Sequence, residues 1–495
     1  MTNSNKSTEI HHKASSQTYK INTWKVDYLP DSSDYYLTIR HLPNPVWLDS
    51  GRPHATFGRY DILTAAPSAT YTTTKQKTVI HELGAHVLDR SQSSPTSGSK
   101  TTRYSDPFKL VESALEQLGT CEDTSFPFTG GALGYFGYNL RAITEPRLLP
   151  IKRDIDIPDM LIGIYKWAII QDHHTKESYL IAHQDLDENT QDRLLNRVLQ
   201  YQKPQKNKIK KQLKIKEIKS KVKVKKYRHS IEKIQDYISA GDCYQVNFAQ
   251  RFEAKYTGDS FLAYQHLRQQ LPAPFGCYME FDGGTILSHS PERFLKADGK
   301  AIETKPIKGT IERGNTPQED DSKADWLLNS QKDRAENLMI VDLLRNDLSK
   351  TCKLGSVKTP DLFQLESYAN VHHLVSKVIG TLDTKSNLID LFKGCFPGGS
   401  ITGAPKIRAM EIIDEIESLE RSVYCGSIGY ISSNGKMDTN IAIRTIACDE
   451  EKMYCWGGGG IVADSEADDE YQESLQKVNV LLEGLKLFQK PQSSS

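Results

Sequence analysis

The sequence predicts an α+β fold built on antiparallel sheet, and three observations predict it. Period-two runs follow one another at hairpin spacing, helical stretches collect apart from them, and 495 residues exceed the ~250–300 at which one core stops growing. At least two domains or one large composite fold follow. Tyr227, Ile231, Ile234 and Ile238 recur at helical spacing over 227–240, and Gly241 stands where a C-terminal cap is wanted. Residues 244–252 then alternate like a half-buried strand. Further strands are predicted at 277–281, 285–289, 424–432, 438–447 and 453–456, and helices at 321–346, 405–420 and 466–487. Ser and Thr crowd 91–105 as a loop insertion, 491–495 reads as a frayed end, and no internal repeat is evident.

Composition narrows the function. The 63 basic and 63 acidic residues give a formal net charge of +0, which argues against nucleic acid or an anionic membrane as the main partner and favours a small ligand. The eight cysteines show no tight metal-ligand spacing and read as reduced and mostly buried. The first residues have no apolar signal core and no run of about 18 apolar residues follows, so a cytoplasmic location is expected. Between Lys203 and Lys226 twelve lysines stand against Glu217 alone, the sharpest compositional change in the chain. The boundary is therefore placed there: an N-terminal domain over 1–202, a Lys-rich linker over 203–226 and a second domain over 227–490. The run suits a solvated linker better than a nucleic-acid patch.

Several constellations could carry chemistry. Lys308, flanked by Pro306 and Gly309, suits a positioned amine, and a lysine nucleophile needs burial or a cationic neighbour to shed its proton; Lys305 could be that neighbour. Glu292 is either a general acid brought to Lys308 by a hairpin or the salt-bridge partner of Arg293 or a neighbouring lysine. Asp333 with Glu336, and Glu470 with Glu473, are carboxylate pairs three residues apart, hence on one helix face each. They are solvated acidic faces or, jointly, a clamp for Mg²⁺, which takes one or two protein carboxylates and completes its octahedron with water and substrate. Gly458, Gly460 and Ala463 match a dinucleotide pattern, but the carboxylates of 464–470 would repel a pyrophosphate. The glycines are turn-formers or backbone donors to a carboxylate, assisted by the fork of Arg444. The Gly-rich 397–406 lacks P-loop spacing.

Taken together and in this order, 241–247, 290–294, 306–310, 333–337, 397–406 and 457–464 resemble the chorismate-utilising enzymes, the family of anthranilate, aminodeoxychorismate, isochorismate and salicylate synthases. The resemblance covers roughly 227–487 and is closest to the aminodeoxychorismate synthases, which carry lysine at the position of Lys308 where anthranilate synthases usually have alanine. It implies large antiparallel sheets packed as a sandwich with helices outside. It also implies amination of chorismate to 4-amino-4-deoxychorismate in para-aminobenzoate and folate synthesis, through a covalent lysine intermediate on Lys308 with Glu292 as acid. Isochorismate-type enzymes have a water-activating lysine where this chain has Gln245. By the same resemblance Glu336 and Glu473 are Mg²⁺ ligands with Asp333 and Glu470 behind them, and Gly309, Thr310, His373, Tyr424, Arg444, Gly458, Gly459, Gly460 and Lys477 contact chorismate. A separate glutamine amidotransferase subunit would supply ammonia. Ser50, Phe57, Gly58, Arg59, Tyr60, Pro274, Phe275 and Gly276 match a tryptophan pocket of some relatives; Asp49 alters its usual pattern, so occupancy without feedback control is expected. The alternatives are anthranilate synthase and a non-catalytic tryptophan-binding homologue.

Overall fold

The computed structural model describes residues 17–55, 58–83, 98–148, 153–202, 212–368 and 371–489. Among them the strands form two large sheets, of thirteen and twelve strands, with almost all neighbours antiparallel. The α+β expectation holds, and the sandwich is visible in single strands. Along Gly131–Phe136 successive side chains must face opposite sides. Tyr135 meets Phe281 of the other sheet, while Phe136 stacks on Phe108 and packs against Phe392, both on outer helices. One continuous core fills the space between the sheets, and a second lies between the thirteen-stranded sheet and the helices Ser33–Ile39, Phe261–Gln270 and Ala467–Lys486.

The expected division at 203–226 does not separate two cores. Val46–Asp49 pairs with Phe275–Phe281 in one sheet, and Gly131–Phe136 pairs with Ser427–Ser432 in the other, so each sheet runs unbroken across the proposed boundary. The lysine run marks a surface segment instead. Residues 203–211 lie outside the described residues, while Lys214–Ile215 and Lys219–Ser220 pair with Gln245–Thr257 and Val224 already begins a helix. Of the predicted loop insertion, 91–97 also lies outside, and Lys100–Arg103 is a strand. The frayed end at 491–495 is outside as well.

Three elements differ from expectation in ways that matter to function. Helix 321–346 is two helices, Pro317–Asn329 and Gln331–Ser349, because Ser330 leaves helical geometry and caps the second through the Asp333 amide. Strand 438–447 is likewise two strands, Lys436–Asn440 in the twelve-stranded sheet and Thr445–Cys448 in the thirteen-stranded one. The glycines of 457–460 belong to the strand Lys452–Ile461 rather than following it. No helix among the described residues is long and apolar enough to cross a membrane.

Candidate active site

The site is built where the chain passes between the two sheets. Gly284–Ser290 lies in one sheet and Arg293–Asp298 in the other, so Pro291 and Glu292 form a crossing; Ile441–Arg444 forms a second beside it. The crossings are joined, since the Ile441 amide donates to the Glu292 carbonyl at 3.0 Å and the Ser290 hydroxyl to the Ile441 carbonyl at 2.6 Å. Glu292 is 6% exposed. Burial pushes its carboxyl up to about 7, against the opposing Ser400 hydroxyl, which donates at 2.8 Å, and the Lys308 ammonium. It is not paired with Arg293, whose guanidinium turns to Asp438 at 2.9 Å and Glu303 at 3.1 Å. An acid half-protonated near neutrality results.

Lys308 is aimed by a bulge. Ile307 pairs with Val375 and Thr310 with His373, so Ile307–Glu312 carries one extra residue there, and Gly309 turns through φ 87°, a left-handed conformation that suits glycine. The Lys308 ammonium thereby reaches the helix Gln331–Ser349, 3.9 Å from Glu336 Oε2. Lys305 does not accompany it: its ammonium pairs with Glu366 at 2.5 Å, on the other side of the strand layer. The cationic neighbour expected for Lys308 is therefore not Lys305. His373 accepts from or donates to Thr310 Oγ1 through Nδ1 at 2.7 Å, and burial with the nearby Arg444 cation holds it down to about 4, hence neutral.

The two carboxylate-bearing helices face one another across this amine. Burial raises Glu336 above its ordinary value and Glu473 reinforces the rise, while Lys308 opposes it. Burial also pushes Glu473 upward, but Lys477, paired with it at 2.5 Å, outweighs that and brings the carboxyl below its ordinary value. Glu470 accepts from the Ser465 hydroxyl at 2.6 Å, and Asp333 accepts from the Ser330 hydroxyl at 2.5 Å. Among the described residues no three His, Cys, Asp or Glu side chains converge closely enough to hold a metal alone. Two carboxylates close enough to influence one another, with no third beside them among the described residues, fit Mg²⁺ that would share its coordination with substrate and water, and fit poorly a metal that needs an all-protein cage.

The glycine strand forms the floor. A Cβ on Gly459 would stand 3.1 Å from Glu470 Oε2 and 3.7 Å from Lys477 Nζ; one on Gly458 would stand 2.5 Å from the Phe248 carbonyl. Side chains are excluded here by close approach, which settles the choice against simple turn-formers. A Cβ on Gly460 would meet Gln245 Nε2 at 2.6 Å, and neither amide atom of that fully buried Gln245 has a hydrogen-bond partner. Arg444 sits at φ 49° in the second crossing, its guanidinium without an ion-pair or hydrogen-bond partner among the described residues, and burial lowers its pKa. Tyr424 stacks on Trp456 with ring centres 5.7 Å apart. Two residues of the site were not legible as such from the sequence: Ser400, and Lys332, whose charge acts downward on the pKa of Glu336, Glu470 and Glu473. The signals for them were a hydroxyl beside two glycines and a lysine one helical turn before Glu336.

A cavity of about 750 Å³ lies against the strands Arg293–Asp298 and Ile307–Glu312. Pro291, Arg293 and Ile307 line it while Glu292 and Lys308 turn away, so it is not the site of the chemistry. Of the tryptophan-pocket residues, Gly58, Arg59, Tyr60, Pro274, Phe275 and Gly276 line this cavity. Ser50 does not, its hydroxyl donating to buried Asp61 at 2.6 Å, and Phe57 lies outside the described residues.

Comparison with known proteins gives the same frame. The chain is 43% identical over 458 residues, 92% of its length and 96% of the relative's, to aminodeoxychorismate synthase component 1 of Escherichia coli K12, and 31% identical to anthranilate synthase component 1 of Aquifex aeolicus over 90% of each chain. It superposes on anthranilate synthase component I from Streptococcus pneumoniae with a TM-score of 0.75 at 29% identity, covering 86% of this chain and 92% of that one. The profile of the chorismate binding enzymes matches residues 44–483, which span both sheets and every residue placed in the site above, and the chain belongs to that family.

Proposed function

We propose that this chain is the chorismate-aminating component of an aminodeoxychorismate synthase. The observation that carries it is Lys308, held by the bulge between Glu336 and the half-protonated Glu292. In this scheme the neutral Lys308 amine bonds to ring carbon C2 of chorismate as the double bonds shift and the C4 hydroxyl departs as water with the Glu292 proton. Ammonia then bonds to C4 and gives up a proton that returns to Glu292, the double bonds shift back, and the C2–N bond breaks with its electron pair going to the positively charged Lys308 nitrogen, which leaves as the neutral amine. Two displacements replace one difficult substitution. Mg²⁺ held by Glu336 and Glu473, with Asp333 and Glu470 supporting them, would neutralise a substrate carboxylate. Arg444 is suited to the other carboxylate by its unpaired fork, with Gly458, Gly459, Gly460, Lys477, Thr310 and Tyr424 around the ring.

Relatives named component 1 imply a second component, and a glutamine amidotransferase, which would release the ammonia this chemistry consumes, suits that role. The cavity, walled by Tyr60, Phe275, Tyr368 and Tyr430 and rimmed by charges of both signs, suits a zwitterionic aromatic amino acid such as tryptophan. Eight buried, unpaired thiols suit a reducing, cytoplasmic setting. The test is incubation of the protein with chorismate, Mg²⁺ and ammonium. Separation should yield 4-amino-4-deoxychorismate; anthranilate or isochorismate as the main product overturns the assignment.

A further inference from the structure

We propose that the buried ion pair of Asp347 and Lys406 is a positioning device for the acid, fixing the glycine-rich loop at 396–405 so that Ser400 holds Glu292 in place. The loop joins the helices Leu388–Cys395 and Lys406–Ile416, and Gly398, Gly399 and Gly403 give it few side chains of its own to pack. Both of its ends meet one carboxylate. Lys406 Nζ lies 2.5 Å from Asp347 Oδ2 and donates to the Cys395 carbonyl at 2.8 Å, while Lys350 Nζ lies 2.9 Å from Asp347 Oδ1 and 3.2 Å from the Gly394 carbonyl. Asp347 is 1% exposed.

Within the loop the Thr402 hydroxyl donates to the Gly398 carbonyl at 3.0 Å, Arg421 donates to the Ile401 carbonyl at 3.0 Å, and the Asn247 amide donates to the Thr402 carbonyl at 2.8 Å. These bonds stiffen the segment internally and to the sheet; the Ser400 hydroxyl is what it presents to Glu292. A buried ion pair adds little net stability over a well-packed apolar pair, so what this one secures is geometry. Its placement supports that. Asp347 follows Glu336 by about three turns of the same helix, so one rigid rod presents a carboxylate toward the amine at one end and anchors the acid's loop at the other.

The inference rests on Glu292 acting as the acid, and the experiment separates the two. The charged groups facing Glu292 are Lys308 and Lys477, which all variants retain. Losing the Ser400 donation removes a bond that favours the ionised carboxylate, so the carboxyl must titrate at higher pH. Asp347→Asn, Lys406→Met, Ser400→Ala and Asp347→Asn/Ser400→Ala are assayed in the full chain with ammonium as nitrogen source. Expected are a kcat lower by about ten- to a hundredfold with little change in KM for chorismate, an alkaline limb of kcat moved upward in all four, and a double variant no worse than Ser400→Ala. Lys406→Arg, keeping the charge, should recover part of the loss. The carboxyl itself is titrated as the infrared difference between each protein and its Glu292→Gln counterpart, both labelled with ¹³C-glutamate. A Glu292 band that titrates at the wild-type pH in Asp347→Asn, or a double variant that loses the product of the two single losses, overturns the positioning role. A band that moves while the alkaline limb stays fixed upholds it and overturns Glu292 as the acid instead.

Discussion

Glu292 and Lys308 show what a single side chain needs from its surroundings before it can react. Burial makes Glu292 costly to ionise, and the cost is visible as stability. Its folded pKa of about 7 lies above its ordinary 4.5, so its contribution is fully present below the unfolded value and is lost as pH rises through about 7. Glu292→Gln, which cannot ionise, should therefore raise the melting temperature relative to wild type most at pH 8.5, less at pH 5.5 and little near pH 4. The same substitution should lower kcat by about 10²- to 10⁴-fold, the usual contribution of a general acid. A variant that is neither more stable at high pH nor slower would remove Glu292 from the mechanism. For the proposed role of Lys308 as nucleophile, Lys308→Ala should abolish any substrate adduct detected by intact-mass measurement during turnover; an adduct that persists excludes Lys308. In wild type, kcat/KM should decline above about pH 7 as the acid loses its proton.

Elements place these side chains, and the bulge at Lys308 is the clearest case. An alanine at Gly309 would hold a Cβ at φ 87°, 3.0 Å from both Asp333 Oδ1 and Leu327 Cδ1. Gly309→Ala should cost about 1–2 kcal/mol from the left-handed backbone alone and, by re-aiming Lys308, depress kcat more than KM; thermal melts and steady-state kinetics check both. The bulge explains why this part of the site was legible only in outline. The sequence around Lys308 shows a Pro and a Gly, whereas the direction of the amine depends on one unpaired residue opposite Val371–Thr381. Hairpins such as 277–281 with 285–289 were legible because their alternation is local, and the helices 227–240 and 466–487 because their apolar spacing is. The sheet crossings at Pro291–Glu292 and Ile441–Arg444 were not, since strand periodicity continues through them and only tertiary pairing assigns 436–440 and 445–448 to different sheets. The break at Ser330 was readable in hindsight, a serine three residues before Asp333 being a capping signature that the helical run concealed.

At the scale of the molecule, the site depends on both sheets being complete, and that dependence contradicts the two-domain division suggested by composition. The lysine-rich run changes charge, not connectivity; the strands on either side of it alternate within the same sheets. A fragment beginning at residue 212 would keep every proposed catalytic residue yet leave Phe275–Phe281 without Val46–Asp49 and Ser427–Ser432 without Gly131–Phe136, exposing two long strand edges and half of the core between the sheets. Open edges of that length recruit other chains. The fragment should therefore aggregate or fail to fold, with no turnover of chorismate, despite carrying 227–490 intact. For the whole chain the corollary is cooperative unfolding, because neither half can keep a sheet without the other. Denaturation followed by tryptophan fluorescence samples Trp24, Trp47 and Trp167 before the lysine run and Trp326 and Trp456 after it. Its midpoint should coincide with that of far-ultraviolet circular dichroism; two separated transitions, or a soluble fragment that binds chorismate, would restore the boundary at 203–226.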